Sequence, residues 1–288
     1  MMISTLTLTA LMVLTGLTGL IGPAAAGPWG HPEGEGYAKV GYTRFASDEG
    51  FLAGEPSGLD FRAHTLDAYG ELGLPAELTV IAGLPLVHAV NVSAAGTRYT
   101  HTWTGDLRLA LQRRLSQRAP VSLGLEARVP TYREPEDYGR VRGLDDVYLE
   151  AISAQFPQLG DRNVDLTALL SAGASSGWGW ASAEAGPRLR LGGYSPGLYG
   201  ALNLGAWFSP ERLGMSLYSS GNLNLGDAAE NPSRQLLSVR ASAFAAVPGV
   251  EQTLVALWGG GVLVAEHAST GFDVGVGLSR RFALRQER

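Results

Sequence analysis

From Tyr37 to the end of the chain, apolar and polar side chains alternate with a period of two. In the run Asp106–Gln112, Leu107, Leu109 and Leu111 fall on one side, and Asp106, Arg108 and Gln112 on the other. Successive side chains of an extended strand point to opposite faces, so this pattern predicts strands. The same alternation sets Val121, Leu123, Leu125, Ala127 and Val129 against Ser122, Gly124, Glu126 and Arg128. Further on, Ala181, Ala183, Ala185 and Leu189 oppose Ser182, Glu184, Arg188 and Arg190, while Leu202 and Leu204 oppose Asn203. Near the end, Val239 and Ala241 oppose Arg240, and Val274, Val276 and Leu278 oppose Asp273, Gly275 and Gly277. No stretch after Tyr37 carries a capped apolar stripe of helical period.

The alternation predicts strands over about 37–46, 61–73, 77–90, 100–113, 120–130, 145–157, 162–173, 178–191, 197–208, 212–224, 234–247, 252–265 and 270–283. Breakers suited to tight turns separate many of them: Leu74-Pro75, Ala119-Pro120, Leu159-Gly160-Asp161, Ser209-Pro210-Glu211 and Pro248-Gly249. Longer polar connections occupy Ser47–Asp60, Thr131–Asp145 and Gly226–Ser233. Short turns alternating with long loops suit a barrel with one plain rim and one decorated rim. Thirteen segments is an odd number for such a barrel, so one of them is superfluous. The fold expected is all-β, a single closed antiparallel transmembrane β-barrel of about twelve strands, with fourteen as the alternative.

Composition bears on the solvent that the apolar face meets. Charged residues make up 17% of the 288, hydrophobic residues 45%, and 39 are glycine. That is poor in charge and about twice the usual share of glycine. In a soluble sheet the apolar face would pack inward; in a membrane barrel it faces lipid and the polar face lines the lumen. The length of the segments, the small residues on the polar face and the N-terminus favour the membrane. Residues 1–26 hold no acidic or basic side chain, and the apolar run 6–21 is followed by Gly22-Pro23 and Ala24-Ala25-Ala26. This layout predicts a cleaved signal peptide over 1–26, with the barrel domain over 27–288. An uncleaved apolar anchor is the rival reading.

The mature start, Gly27-Pro28-Trp29-Gly30 then Gly36-Tyr37-Ala38-Lys39-Val40-Gly41-Tyr42, resembles that of a Gram-negative outer-membrane barrel family, the meta-pathway phenol-degradation or transporter-like proteins. Trp103-Thr104-Gly105-Asp106-Leu107-Arg108-Leu109-Ala110-Leu111 is similar to that family's Trp-x-Gly-Asp-x-x-Leu strand starts, and Gly143-Leu144-Asp145-Asp146-Val147-Tyr148-Leu149 looks like a weaker copy. The resemblance implies a barrel of the cell outer membrane. Its role would be a channel or transporter for small, hydrophobic molecules, and its partners outer-membrane lipid, the barrel assembly machinery and a small-molecule solute. It implies no catalytic residue. In one departure, Phe282 is followed by six further residues where such barrels commonly end on an aromatic.

The polar face holds the candidate site. Asp106, Arg108, Gln112, Glu126, Arg128, Glu150, Glu184, Arg188, Arg190, Asn203 and Arg240 are expected to face the lumen, where they would line a water-filled path or brace a narrow bore. The aromatics Trp103, Tyr132, Tyr138, Tyr148, Trp178, Trp180, Tyr194, Tyr199, Trp207, Phe208, Tyr218, Phe272 and Phe282 lie near estimated strand ends and are expected to form interfacial belts.

Other chemistry has little support. There is no Cys, and the net charge of −5 gives no basic footprint for nucleic acid. The five histidines, His31, His64, His88, His101 and His267, have no metal-protease spacing, and no Gly-x-Ser-x-Gly elbow occurs. No cofactor or metal is expected; His64 with Asp67 would need ligands from neighbouring strands. The alternatives to a channel are an outer-membrane enzyme acting on lipids, through a Ser–His pair backed by a carboxylate, and a non-conducting structural barrel.

Overall fold

The computed structural model describes residues 28–48, 51–52, 55–56, 59–132, 157, 163–192, 195–209, 212–225, 235–266 and 270–284. The wall begins with β1 (Glu35–Ser47), β2 (Asp60–Leu74) and β3 (Leu78–Val92). It continues with β4, which runs in two parts, Arg98–Thr104 and Asp106–Arg114, then β5 (Val121–Pro130) and β6 (Asp165–Ser176). β7 (Gly179–Arg190), β8 (Gly197–Ser209) and β9 (Leu213–Asn224) follow. β10 (Gln235–Ala246), β11 (Thr253–Glu266) and β12 (Gly271–Ala283) complete it. A two-residue ribbon, Phe51–Leu52 with Glu55–Pro56, stands apart from the wall.

Each strand pairs antiparallel with its sequence neighbours, and β12 returns to β1 from Glu35↔Ala283 to Ala46↔Phe272. The sheet is therefore a closed barrel of twelve strands. At one rim the strands are joined by the short connections 75–77, 115–120, 177–178, 210–212 and 247–252. The opposite ends of the strands are joined by the connections 48–59, 93–97, 131–164, 191–196, 225–234 and 267–270.

One expectation about the wall is corrected, and another falls outside the described residues. β5 pairs directly with β6, from Val121↔Ala172 to Arg128↔Asp165, so no strand stands between them there; a strand is expected over 145–157, with a turn at 159–161. Apart from Pro157, that segment lies outside the described residues. The segment 100–113 is not one uniform strand. Its pairing with β3 slips by one residue between Leu86↔Thr104 and Gly83↔Arg108, leaving Gly105 as a β-bulge. Pro85 explains the position. Its carbonyl accepts the Gly105 N–H at 2.8 Å, so the side of Pro85 that lacks a donor also faces β4. The extra residue absorbs the break in the ladder and reverses the alternation, so that His101 and Arg108 both point inward.

The outward face is apolar around the ring. Val40, Leu66, Leu84, Leu109, Leu125, Leu170, Leu189, Leu202, Leu217, Leu257 and Val276 are all exposed, Leu125 at 58%. The inward face carries buried Glu71, Gln112, Glu126, Asp165, Arg190 and Asp273. Among the described residues it also carries an aromatic cluster of buried side chains, Trp180, Trp207 and Phe244, with ring centroids 4.9–5.8 Å apart.

Candidate functional site

The bore is the enclosed polar space in this fold, and its side chains are placed by strand parity. On β4 and β5, Arg108 Nε donates to Glu126 Oε2 and Arg128 Nε to Glu126 Oε1, both at 2.7 Å. One carboxylate, its side chain 4% exposed, thus holds two guanidinium groups. The arrangement recurs on β6 and β7. Arg188 Nη2 donates to Asp165 Oδ2, and Arg190 Nε to Asp165 Oδ1 at 3.2 Å. Asn163 Nδ2 donates to the same Oδ1 at 2.9 Å. Charge-assisted pairs of this kind are the stronger hydrogen bonds of a protein, and the second arginine in each offsets the burial of the carboxylate. Gln112 Nε2 donates to Ser122 Oγ at 2.7 Å nearby.

Across the bore, Arg240 on β10 forms a two-pronged pair with Asp273 on β12, Nε and Nη2 each 3.1 Å from a carboxylate oxygen. The two residues are not on adjacent strands. Between them in the same cross-strand row stands Gly260 of β11, paired with Arg240 on one side and Asp273 on the other. A Cβ at Gly260 would come within 2.9 Å of Arg240 Cβ, so the missing side chain is what lets the guanidinium reach over. Glycine also floors Trp258. A Cβ at Gly41, Gly275 or Gly277 would run into its indole, which therefore lies flat against the inner wall. Lys39 Nζ sits 4.7 Å from the centre of that ring and Arg240 Cζ 5.9 Å, both within cation–π range.

These groups surround a cavity of about 350 Å³ lined by Lys39, Asp67, Arg108, Glu184, Asn203 and Arg240, with Pro28, Tyr69 and Tyr218 among its other neighbours. Glu184 accepts a hydrogen bond from Tyr199 at 3.1 Å, and the Tyr199 and Tyr218 hydroxyls meet at 3.0 Å. The Asn203 Oδ1 atom is buried without a hydrogen-bond partner.

Of the expected site residues, the structure groups Arg108, Glu126 and Arg128 in one cluster, Arg188 and Arg190 in a second, and Glu184, Asn203 and Arg240 around the cavity. Gln112 is buried against β5, and Asp106 opens the second part of β4. Glu150 lies outside the described residues. Lys39, Asp165 and Asp273 join the site although they were not among the expected lumen residues, and Asp67, considered with His64 as a metal ligand, lines the cavity instead. The signal was available for Asp273, which opposes Val274 and Val276, but its partner Arg240 lies 33 residues away in sequence.

The aromatic belt needs a larger correction. Trp180, Trp207, Tyr199 and Tyr218 are directed into the bore by parity, where the first two are buried and the tyrosines, on adjacent strands, bond to each other. Trp178 (72% exposed), Phe208 and Phe272 do stand on the outside. Tyr138, Tyr148 and Tyr194 lie outside the described residues. His64 and Asp67 are an odd number of positions apart on β2 and so occupy opposite faces; His64 meets the Tyr42 hydroxyl at 2.5 Å on the outside. His88 meets Thr102 there too, at 2.6 Å. Among the described residues no group of three or more His, Cys, Asp or Glu side chains is arranged to hold a metal ion.

Both ends of the bore are narrowed by chain that does not belong to the wall. At the long-loop rim Pro157 is fully buried, and its carbonyl accepts a hydrogen bond from His101 Nδ1 at 3.1 Å. At the short-turn rim the segment ahead of β1 turns inward: Pro28 is fully buried, and Trp29 packs against the Trp180–Trp207–Phe244 cluster.

No protein-family model matches the chain, and no curated protein matches it in sequence. Solved structures do. An outer-membrane channel from Pseudomonas putida F1 superposes with a TM-score of 0.63 at 14% identity, covering 91% of this chain and 100% of that one. The translocator domain of the autotransporter NalP from Neisseria meningitidis gives a TM-score of 0.49 at 13% identity, covering 96% and 94%. A Pseudomonas aeruginosa FadL homologue gives 0.41 at 8%, covering 87% and 90%. The likeness to the first is one of fold: this chain is a closed twelve-stranded barrel of the kind built by an outer-membrane channel.

Proposed function

We propose that this protein is an outer-membrane β-barrel that offers small solutes a passage through its polar bore, after export directed by residues 1–26. One observation carries the reading. Around a closed ring of strands, the leucines and valines point out and the ionised groups point in, around a cavity of about 350 Å³. In water each such leucine would forgo roughly 2 kcal/mol of burial. Summed around the ring, that loss exceeds the roughly 5–15 kcal/mol by which domains are stable, so the solvent outside is hydrocarbon. Lipid also supplies no partner for a sheet edge, which agrees with the closure of β12 on β1.

The bore would select by contact with both charge signs and with aromatic faces. The short-turn rim would face the periplasm and the long-loop rim the exterior, as in other barrels of this architecture. Assembly into the membrane would use the barrel assembly machinery. Planar-bilayer recording of the purified protein tests the passage. Arg108→Glu should move the reversal potential toward cation selectivity. A wild-type barrel that neither conducts nor swells liposomes would instead be a structural one.

A further inference from the structure

Residues 28–34 leave the short-turn rim and run into the bore instead of along the wall. Their contacts lie on opposite sides of the ring. On β2 and β3, His31 Nε2 pairs with Glu71 Oε2 at 2.6 Å, and the His31 amide donates to Thr79 Oγ1 at 3.1 Å. On β7, β8 and β10, the Trp29 ring packs against Trp180, Trp207 and Phe244. Between them, Gly173 of β6 provides a seat, since a Cβ there would meet Pro28 Cγ at 2.8 Å and Trp29 Cη2 at 3.0 Å. Pro28 reaches the central cavity beside Arg108 and Glu184. A chain held at β2–β3 and again at β7–β10 of a twelve-strand ring crosses the bore.

We propose that residues 28–34 are a gate that closes the short-turn end of the passage, hinged at its base and latched by the Trp29 indole and the His31–Glu71 pair. This rests on the channel reading above. The base is fixed by backbone bonds: the Gly34 amide donates to the Gly73 carbonyl at 3.0 Å, and the Leu284 amide donates to the Gly34 carbonyl at 2.7 Å. Beyond Gly34 the His31–Thr79 and His31–Glu71 bonds to the wall each use a wall side chain and no backbone ladder, so the segment leaves its seat without unzipping any strand. Gly30 (φ 63°), just after the Trp29 latch, and Gly34 (φ 77°), at the base, hold left-handed conformations that favour glycine. The latch is local as well: a histidine–carboxylate hydrogen bond, an amide–hydroxyl bond and a partly buried indole, against the continuous ladder that holds each strand.

The protein has no cysteine, which makes a tether clean to read. The double substitution H31C/T79C places a thiol on each side of the latch, and disulfide formation is followed by loss of free thiol. In planar bilayers the oxidised full-length barrel should conduct weakly, and reduction should raise conductance severalfold. Deletion of residues 28–33 should give the high level without reduction. If the wild type conducts while the oxidised, reduced and deletion forms all match it, the gate is overturned and the channel stands. If wild type, reduced and deletion forms are all silent, the channel reading falls, and the segment is judged separately by thiol labelling. For that, Ser182→Cys puts a thiol in the cavity lining. A small water-soluble maleimide should label it faster in the deletion background than in the full chain, and equal rates would overturn occlusion.

Discussion

Glu126 is the carboxylate on which the Arg108–Arg128 cluster of the bore depends. It balances Arg108 and Arg128 at 2.7 Å each while almost entirely shielded from solvent. Removing one partner of a buried pair leaves an uncompensated charge, so Glu126→Ala should destabilise the barrel by about 3 kcal/mol. The urea midpoint of refolding in detergent measures this, and Arg108→Met in the same background should recover part of the loss. Gly260 is a contrasting case, acting through what it lacks. Gly260→Val should break the Arg240–Asp273 pair and release a guanidinium beside Trp258, read as a change in the fluorescence of that indole. Parity made the inward direction of Arg108, Glu126 and Arg128 legible in the sequence. The pairing of Arg240 with Asp273 was not, because a bond that skips a strand depends on the barrel register and on a glycine between.

At the scale of the strand, β4 has the most informative geometry. The Gly105 bulge turns both halves of one strand so that His101 in the first and Arg108 in the second share the bore. Deleting Gly105 would make the pairing continuous and force one half to turn its side chains out. His101 and Tyr99 would then meet lipid, or Arg108 and Gln112 would. The expected outcome is loss of the compact, heat-modifiable band on unboiled gels. Gly105→Ala should be milder yet still costly, since its Cβ would press on Pro85 Cγ at 2.8 Å. The β2–β3 turn carries a smaller cost. Ala76 and Glu77 both have positive φ, 61° and 58°, which L-residues pay about 1 kcal/mol to adopt. Ala76→Asn should therefore raise the temperature of the band shift, since asparagine tolerates that conformation. Period-two alternation predicts the strands themselves because it is local. Alternation says that a segment can be a strand, whereas its neighbours in the wall are set by which strands pair, as β5 does with β6.

For the whole molecule, the decisive contrast is between the two faces of one sheet. An arginine placed at Leu125, on the outward face near mid-strand, should cost about 2–4 kcal/mol, falling to about 0–1 kcal/mol at Leu213 beside the short-turn rim. Equilibrium unfolding from lipid vesicles measures both, and equal costs at the two sites would contradict the membrane reading. The glycine content also finds its reason at this scale. Where an indole lies on the inner wall, as Trp258 does over Gly41, Gly275 and Gly277, the neighbouring strands must give up their side chains for the ring to fit.

The sequence by itself determined the all-β class, the faces of nearly every strand and the polar character of the interior, because alternation in an extended chain is a property of successive residues. Only the tertiary structure decided that twelve strands close the ring, that Trp180 and Trp207 pack inside instead of girdling the membrane, and that residues 28–34 lie across the bore. Those outcomes follow from register, shear and the width of a closed cylinder, which bring together side chains that no spacing along the chain connects.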